Sequence, residues 1–279
     1  MPIVAVIAPG AMGAAVGGRL VAHGADVITL LTGRSPATAA RAEAAGMRGV
    51  DLALLAEADI VLSIVPPGEA MALARMLAPV LRGAASKPVY ADCNAVSPQT
   101  AEAVAGVLQG QGVRFVDAGI IGGPPKPGTP GPVFYTSGPE APALDILAQH
   151  GIRVTDLHAP LGAASGLKMS YAGITKGLTA LTAAMMLAAT RFGAAPALAA
   201  ELAASQPDLV KYFTRSVPDM YPKAYRWVAE MEEIAAFAGE DAATHEIYTG
   251  IAALYQRLAI DQAGPKQEIG ALDAFLKRS

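Results

Sequence analysis

The chain has 279 residues, of which 53% are hydrophobic and 16% charged, and its formal net charge is −3. That length buries a sizeable core and predicts two domains, and without an excess of Lys and Arg there is nothing to neutralise a nucleic-acid backbone. A single cysteine, Cys93, excludes an intrachain disulfide and any cysteine-based metal cluster.

The first two dozen residues read as strand, tight turn and helix. Val4-Ala5-Val6-Ile7 is a short apolar run that stops at Pro9-Gly10, and Met12, Val16 and Leu20 then recur at helical spacing. Glycines at such a turn let the backbone approach a pyrophosphate, and the helix N-terminus offers free N–H groups and a positive dipole end. Ala8 stands where the G-x-G-x-x-G pattern has its first glycine. Gly10, Ala11, Met12 and Gly13 are the candidate pyrophosphate contacts.

Asp26–Leu31 predicts a second strand, ending at Thr32-Gly33-Arg34-Ser35, and Pro36–Ala45 a helix closed by Gly46. Leu52–Ala56 reads as a short helix and Asp59–Val65 as an apolar strand stopped by Pro66-Pro67. Glu69–Leu81 is an amphipathic helix, Pro88–Asp92 a strand, Ser97–Gln109 a helix and Val113–Ala118 a strand. Alternating strands and helices with short links predict a doubly wound parallel sheet, an α/β Rossmann domain. The Gly/Pro-rich run 122–132 cannot be helical. Val133–Ser137 and Ile152–Leu157 are the last two strands, with an Ala/Leu helix between them. Ser165–Phe192 is one long helical pattern, and the rest to Ser279 is helical, with stops near Pro207, Pro218, Pro222 and Gly239. The boundary is placed near Pro160, giving a dinucleotide-binding domain over 1–160 and an all-α substrate and dimerisation domain over 161–279. A strand beginning at Ile3 leaves no leader segment, and the uncharged run 177–190 is too short to span a bilayer. The expectation is a cytoplasmic protein with neither a membrane nor a nucleic-acid partner.

An NAD site usually carries a carboxylate at the end of the second strand. Leu30-Leu31-Thr32 has none, and Arg34-Ser35 follows at once. A guanidinium and a hydroxyl there suit a 2′-phosphate, which favours NADP(H) over NAD(H); a solvated loop charge is the alternative role for Arg34. Gly33, Arg34 and Ser35 are the corresponding cofactor candidates. Val65 and Pro66 would wall a nicotinamide or adenine face. Asn94 would hydrogen-bond the nicotinamide ribose or the substrate, or else form the turn ahead of Pro98.

Gly162–Lys168 opens the long helix. A lysine among small apolar residues loses hydration, which draws its proton affinity towards the working pH and suits it to proton exchange with a carbonyl or hydroxyl oxygen. Tyr171, Thr175 and Lys176 follow on the same side of the helix, Lys176 about 12 Å along the axis.

These segments together resemble the β-hydroxyacid dehydrogenases, the group containing 3-hydroxyisobutyrate and 6-phosphogluconate dehydrogenases. Ile7–Gly13 matches the family's glycine motif, Asp117-Ala118-Gly119-Ile120-Ile121-Gly122-Gly123 its substrate loop, and Gly162–Lys168 the segment leading to its catalytic lysine. The resemblance implies that Lys168 is the general acid/base and that Ile121, Gly122 and Gly123 face substrate. Ile121 replaces the family's serine and Ala172 its asparagine, so Tyr171 or Thr175 would take over substrate orientation, and Lys176 would hold an anion. Tyr221–Glu233 is similar to a bacterial branch with its own C-terminal helical domain. There Arg226 either pairs with Glu230 at i,i+4 or enters an active site, its own or a partner subunit's, to hold a substrate anion. The apolar faces of 177–192 and 247–258 read as a homodimer interface.

The resulting expectation is an NADP(H)-dependent oxidoreductase acting between hydroxyl and carbonyl carbon of a small, hydroxyacid-like molecule. The alternatives are reduction of a C=N bond in the same cleft and a non-catalytic NADP(H)-binding regulator. No metal site is expected.

Overall fold

A computed structural model describes residues 1–86 and 88–278. Ser279, the last residue of the expected helical domain, lies outside them. The described chain divides into two compact units, one up to Met169 and one from Ser170 onwards.

The first unit is built on one eight-stranded sheet. Its strands are β1 (Ile3–Ile7), β2 (Asp26–Leu30), β3 (Arg48–Val50), β4 (Ile60–Ser63), β5 (Val89–Asp92), β6 (Arg114–Ile121), β7 (Val133–Ser137) and β8 (Arg153–Asp156). Their order is β3-β2-β1-β4-β5-β6-β7-β8. Connections wind outwards in both directions from β1 and β4, the Rossmann arrangement. Pairing is parallel from β3 to β6, antiparallel between β6 and β7, and parallel again to β8. The parallel sheet expected from the sequence holds except at this one joint. The Gly/Pro segment after β6 has no helix to carry the chain back across the sheet, so β7 returns beside β6 in the opposite sense.

The pleat sorts β1 between two cores. Val4 and Val6 pack with Val16 and Leu20 of α1 (Ala11–Ala22). Ala5 and Ile7 face Leu73 and Leu77 of α3 (Ala70–Arg82) and Val104 of α4 (Pro98–Gln109). Successive strand side chains point to opposite faces, so a continuous apolar run implies a sheet covered on both sides. Helix α2 (Pro36–Ala44) links β2 to β3. The segments 52–57 and 141–150 are 3-10 rather than α-helical turns. The expected strand from Asp59 to Val65 is confined to β4, because the chain bends after Ser63 towards Pro66 and Pro67. Strand β3, with exposed Arg48 and Gly49, carries no alternation that sequence could reveal.

Helix α5 runs from Ala163 to Arg191 without a break. The first unit extends through its opening turns to Met169, nine residues past the boundary expected at Pro160. The cause is a buried carboxylate that gathers the backbone at the start of α5, described below. By length and composition α5 is the one described helix long and apolar enough to cross a membrane, whereas the sequence expectation considered only its 177–190 portion. In the second unit its Ala180, Ala183, Met186 and Leu187 are buried core residues.

That unit continues with α6 (Ala195–Ser205), α7 (Pro207–Met220), α8 (Ala224–Phe237), α9 (Ala242–Ala263) and α10 (Gln267–Leu276). Pro207 starts α7, while Pro218 is accommodated inside it. Met231 and Ile234 of α8 and Ile251, Tyr255 and Leu258 of α9 are among its buried residues.

Candidate active site

Ile7 pairs with Ser63, Ser63 with Asp92, and Asp92 with Asp117. These four residues form one rung across the sheet; β1, β4 and β5 end on it, at the carboxyl edge, while β6 runs on to Ile121. Ligands of doubly wound sheets bind beyond that edge, where the connections diverge between β1 and β4.

On β1 the segment past the rung is the glycine turn. Gly10 begins α1 with no side chain bonded to the helix N-terminus and no acidic residue in the first turn, so the dipole end is left for an outside anion. A Cβ on Gly10 would meet nothing within 4 Å, whereas one on Gly13 would collide with the Ala8 carbonyl oxygen. Gly10 thus offers an open backbone face and Gly13 permits the tight turn. A dinucleotide pyrophosphate fits this cradle. Ala11 continues the exposed lip of the turn, while Met12 is partly buried against the core.

On β2 the chain turns at Gly33 (φ 75°), and Ser35 caps α2 by accepting from the Thr38 amide at 3.3 Å. Arg34 reaches towards Glu69, beyond β4, at 3.8 Å, with both side chains substantially exposed. Arg41 donates to Thr38 Oγ1 at 2.9 Å and to the Pro9 carbonyl at 3.3 Å. A second guanidinium, Arg41, therefore stands at the glycine turn, where the sequence reading had named only Arg34 as a cation for the cofactor. Arg41 follows Ser35 and Thr38 on one helical face, but nothing in that spacing announces its reach to Pro9.

Between β4 and β5, Asn94 is 3% exposed. Its Oδ1 accepts from the Val65 amide at 2.7 Å and its Nδ2 donates to Ser63 Oγ at 2.8 Å. The amide thus holds the Val65-Pro66 turn in place at the crevice. Asp92 accepts from the Asn94 backbone amide at 2.9 Å.

The densest polar network lies at β6. Asp117 Oδ2 accepts from the Gly162 and Ser165 amides, both at 3.0 Å, and from Ser137 Oγ at 2.8 Å. Its Oδ1 accepts from Ser165 Oγ at 2.5 Å. Ser137 Oγ also accepts from the Ala164 amide at 3.0 Å. A buried carboxylate is tolerated when its lone pairs are filled in this way, and here the donors include the orphan amides at the start of α5. Two residues further along β6, a Cβ on Gly119 would stand 2.8 Å from the Ala164 carbonyl oxygen and 3.1 Å from Lys168 Cβ. Strand and helix meet there with no space for a side chain.

The result is a fixed Lys168, whose Nζ donates to the Ile120 carbonyl at 2.7 Å. The ammonium stands at the carboxyl edge next to Ile121, Gly122 and Gly123. The loop that follows is tied down by Arg19 of α1, which donates to the Lys126 and Thr129 carbonyls at 2.8 and 3.0 Å. Asp117, Gly119 and Arg19 carry roles that residue type and spacing did not disclose.

The remaining candidates lie in the helical unit. Tyr171 is exposed, and Thr175 Oγ1 donates to the Tyr171 carbonyl at 2.9 Å. Lys176 is ion-paired with Glu230, with each side chain only 16% exposed, and its Nζ lies 4.9 Å from the ring centre of Trp227. Burial pushes its pKa below the ordinary lysine value, opposed by Glu230 and reinforced by Arg226 and Lys223. The i,i+4 pair expected between Arg226 and Glu230 is corrected. Glu230 is taken by Lys176, and the exposed Arg226 guanidinium lies 5.7 Å from the Tyr225 ring centre instead.

Residues 3–149 match the family described as the NAD binding domain of 6-phosphogluconate dehydrogenase, and residues 189–258 match a domain of unknown function, DUF1932. An uncharacterized 28.5 kDa protein from Methanothermus fervidus is 30% identical over 158 residues, 56% of this chain and 59% of that protein. A solved conserved protein of unknown function, described as structurally similar to 3-hydroxyacid dehydrogenases, is 26% identical with a TM-score of 0.70, covering 93% of this chain and 98% of its own. The Mycobacterium tuberculosis 3-hydroxyisobutyrate dehydrogenase, solved with L-serine, shares the fold at 20% identity and a TM-score of 0.73, over 94% of this chain and 95% of its own.

Proposed function

The chain belongs to the family of the NAD-binding domain of 6-phosphogluconate dehydrogenase; from that premise we propose that it is an oxidoreductase that uses NADP(H) on a small hydroxyacid-like substrate. The reaction interconverts a hydroxyl-bearing and a carbonyl carbon, and Lys168 exchanges the accompanying proton. The observation that carries this reading is the hydrogen bond from Lys168 Nζ to the Ile120 carbonyl, at the carboxyl edge of the sheet.

When bound, the nicotinamide donates or accepts the hydride. The chain does the rest. Gly10–Gly13 receives the pyrophosphate on uncapped backbone amides. Arg34, backed by Arg41, supplies planar donor forks for a 2′-phosphate, and no carboxylate at the end of β2 competes with it. Val65 and Pro66, held by Asn94, wall the crevice. Lys168 gives its proton to the substrate oxygen as the carbonyl is reduced and takes it back in the reverse direction. Gly122 and Gly123 present backbone amides to the substrate, and Ile121 replaces a polar contact by an apolar wall.

The homodimer is part of the same reading. Ile174, Leu181 and Met185 of α5 are 69%, 55% and 60% exposed, Phe192 just past its end is 88% exposed, and Ile247 and Ile260 of α9 are 53% and 62% exposed. So much exposed apolar surface on two helices suits a second copy of the chain.

Turnover of hydroxyacids, aldehydes and imines, each with NADPH or NADP as the direction requires and then with the NAD counterparts, tests the proposal. NADP-linked turnover of a hydroxyacid or its keto form supports it. Turnover of imines alone, a preference for NADH, or cofactor binding without turnover of any compound would overturn it in substrate, cofactor or enzymatic class respectively.

A further inference from the structure

A second cavity lies wholly inside the helical unit, between α5, α7 and α8, with a volume of about 430 Å³. Tyr171, Thr175 and Thr179 of α5 form one wall, following each other at i, i+4 and i+8. Tyr212, Arg215 and Ser216 of α7 form the opposite wall, and Trp227 with Lys176 forms the floor.

Most polar atoms of this cavity already have partners. Thr175 and Thr179 donate to the Tyr171 and Thr175 carbonyls, and the Tyr212 hydroxyl also donates to the Thr175 carbonyl, at 3.1 Å. Lys176 is neutralised by Glu230 and Asp219 by Lys223. Two neighbouring groups on α7 are suited to an anion. Ser216 Oγ is buried without any hydrogen-bond partner, and Arg215 has no ion-pair partner among the described residues. A buried hydroxyl without a partner is uncommon and calls for one. Beside it, an unpaired guanidinium supplies a surplus positive charge and a planar pair of donors.

We propose that this cavity binds a short hydroxycarboxylate, its carboxylate on Arg215 and Ser216 and its carbon body against Trp227 and Tyr171. The choice of carboxylate follows from the charge count. One unpaired cation lines the cavity, which balances a single negative charge, whereas a phosphate monoester carries close to two at neutral pH. Aromatic walls on two sides suit a short carbon body, and the volume suits a small molecule rather than a chain segment. The inference rests on the proposed function only in taking the bound compound to be the substrate, and its test reads binding rather than turnover.

Trp227 is the only tryptophan in the chain, so its fluorescence reports on the cavity floor directly. The protein is titrated with D-glycerate and L-lactate, both monoanions, with glycerol as the neutral counterpart and inorganic phosphate as the alternative anion. A saturable change with either hydroxycarboxylate is expected, weakened about tenfold or more in Arg215→Ala and partly restored in Arg215→Lys. Arg215 is exposed, so its removal leaves the fold intact. Ser216→Ala should weaken the titration without lowering Tm, since it removes a hydroxyl that has no partner. Lys168→Ala should titrate like the parent even when its turnover is lost, which separates this inference from the proposed reaction. No saturable change, an unaltered titration in Arg215→Ala, an equal response to glycerol, or tighter saturation by phosphate would each overturn it.

Discussion

Ser165 donates its hydroxyl hydrogen to Asp117 Oδ1 at 2.5 Å while its own amide reaches Oδ2 at 3.0 Å. One side chain of β6 thereby fixes the first turn of α5, and Lys168 follows one turn later. Asp117→Asn keeps the shape but turns an amide NH2 towards donors. The expected result is a loss of about 2–3 kcal/mol in stability and a fall in kcat, with NADPH affinity unchanged. Ser165→Ala, which keeps the carboxylate and its backbone donors, should show the same pattern more weakly. Urea unfolding and cofactor titration, run beside turnover, check both variants.

Gly119 tests the strand–helix contact from the other side. Adding one methyl group places carbon 2.8 Å from the Ala164 carbonyl oxygen, a backbone atom, so the helix itself has to move. A displacement of about 1 Å in a proton-transferring group costs on the order of 10² in rate. Gly119→Ala should therefore lose about that much kcat while KM for NADPH holds. A matched alanine at Gly10, whose Cβ position is open, should instead act on cofactor affinity.

Arg34 and Glu69 form an exposed pair at 3.8 Å. Such a pair contributes little to folding, so its effects belong to the ligand. Arg34→Ala should raise KM for NADPH about tenfold and leave KM for NADH nearly unchanged. Glu69→Gln, which removes the competing carboxylate, should lower KM for NADPH. Steady-state kinetics with both cofactors separate a 2′-phosphate contact from a solvated loop charge.

The Lys176–Glu230 pair carries a pH signature. Because the folded-state pKa of Lys176 is depressed, the unfolded chain binds more protons between that value and about 10.4, the ordinary lysine pKa. Over that window this lysine's contribution to stability rises with pH, since the cost of the buried charge is relieved. Lys176→Met should flatten this rise in the Tm-versus-pH curve. Glu230→Gln leaves the ammonium uncompensated and should cost about 3 kcal/mol near neutrality, more than the lysine substitution does.

The local signals in the chain proved sufficient for the Rossmann plan. Apolar runs such as Ile60–Ser63, helices of the Met12-Val16-Leu20 kind, and the Pro66 and Pro98 breaks each act over a few residues, and the strands formed close to where those signals lay. Two features escaped the sequence reading where distant contacts decide. Glu230 had two cations within reach, Arg226 one turn earlier and Lys176 on another helix, and sequence spacing speaks only for the first. The burial of the Lys176–Glu230 pair is set by the packing of α8, which no periodicity reveals. The reversal at β7 likewise follows from the lack of a crossover helix after β6. At the candidate site, the glycines and Lys168 could be read from residue type and order. Asp117 as the organiser of α5 could not, because its donors arrive from 20 to 48 residues away.

The role of Lys168 is the central claim, and it is tested by one comparison of Lys168→Ala with the parent enzyme, measuring kcat for the hydroxyacid reaction and Kd for NADPH on the same preparations. Removal of a positioned acid/base should lower kcat by about 10²–10⁴ with Kd for NADPH unchanged. A variant that turns over at the parental rate, with the cofactor bound as before, would contradict the account.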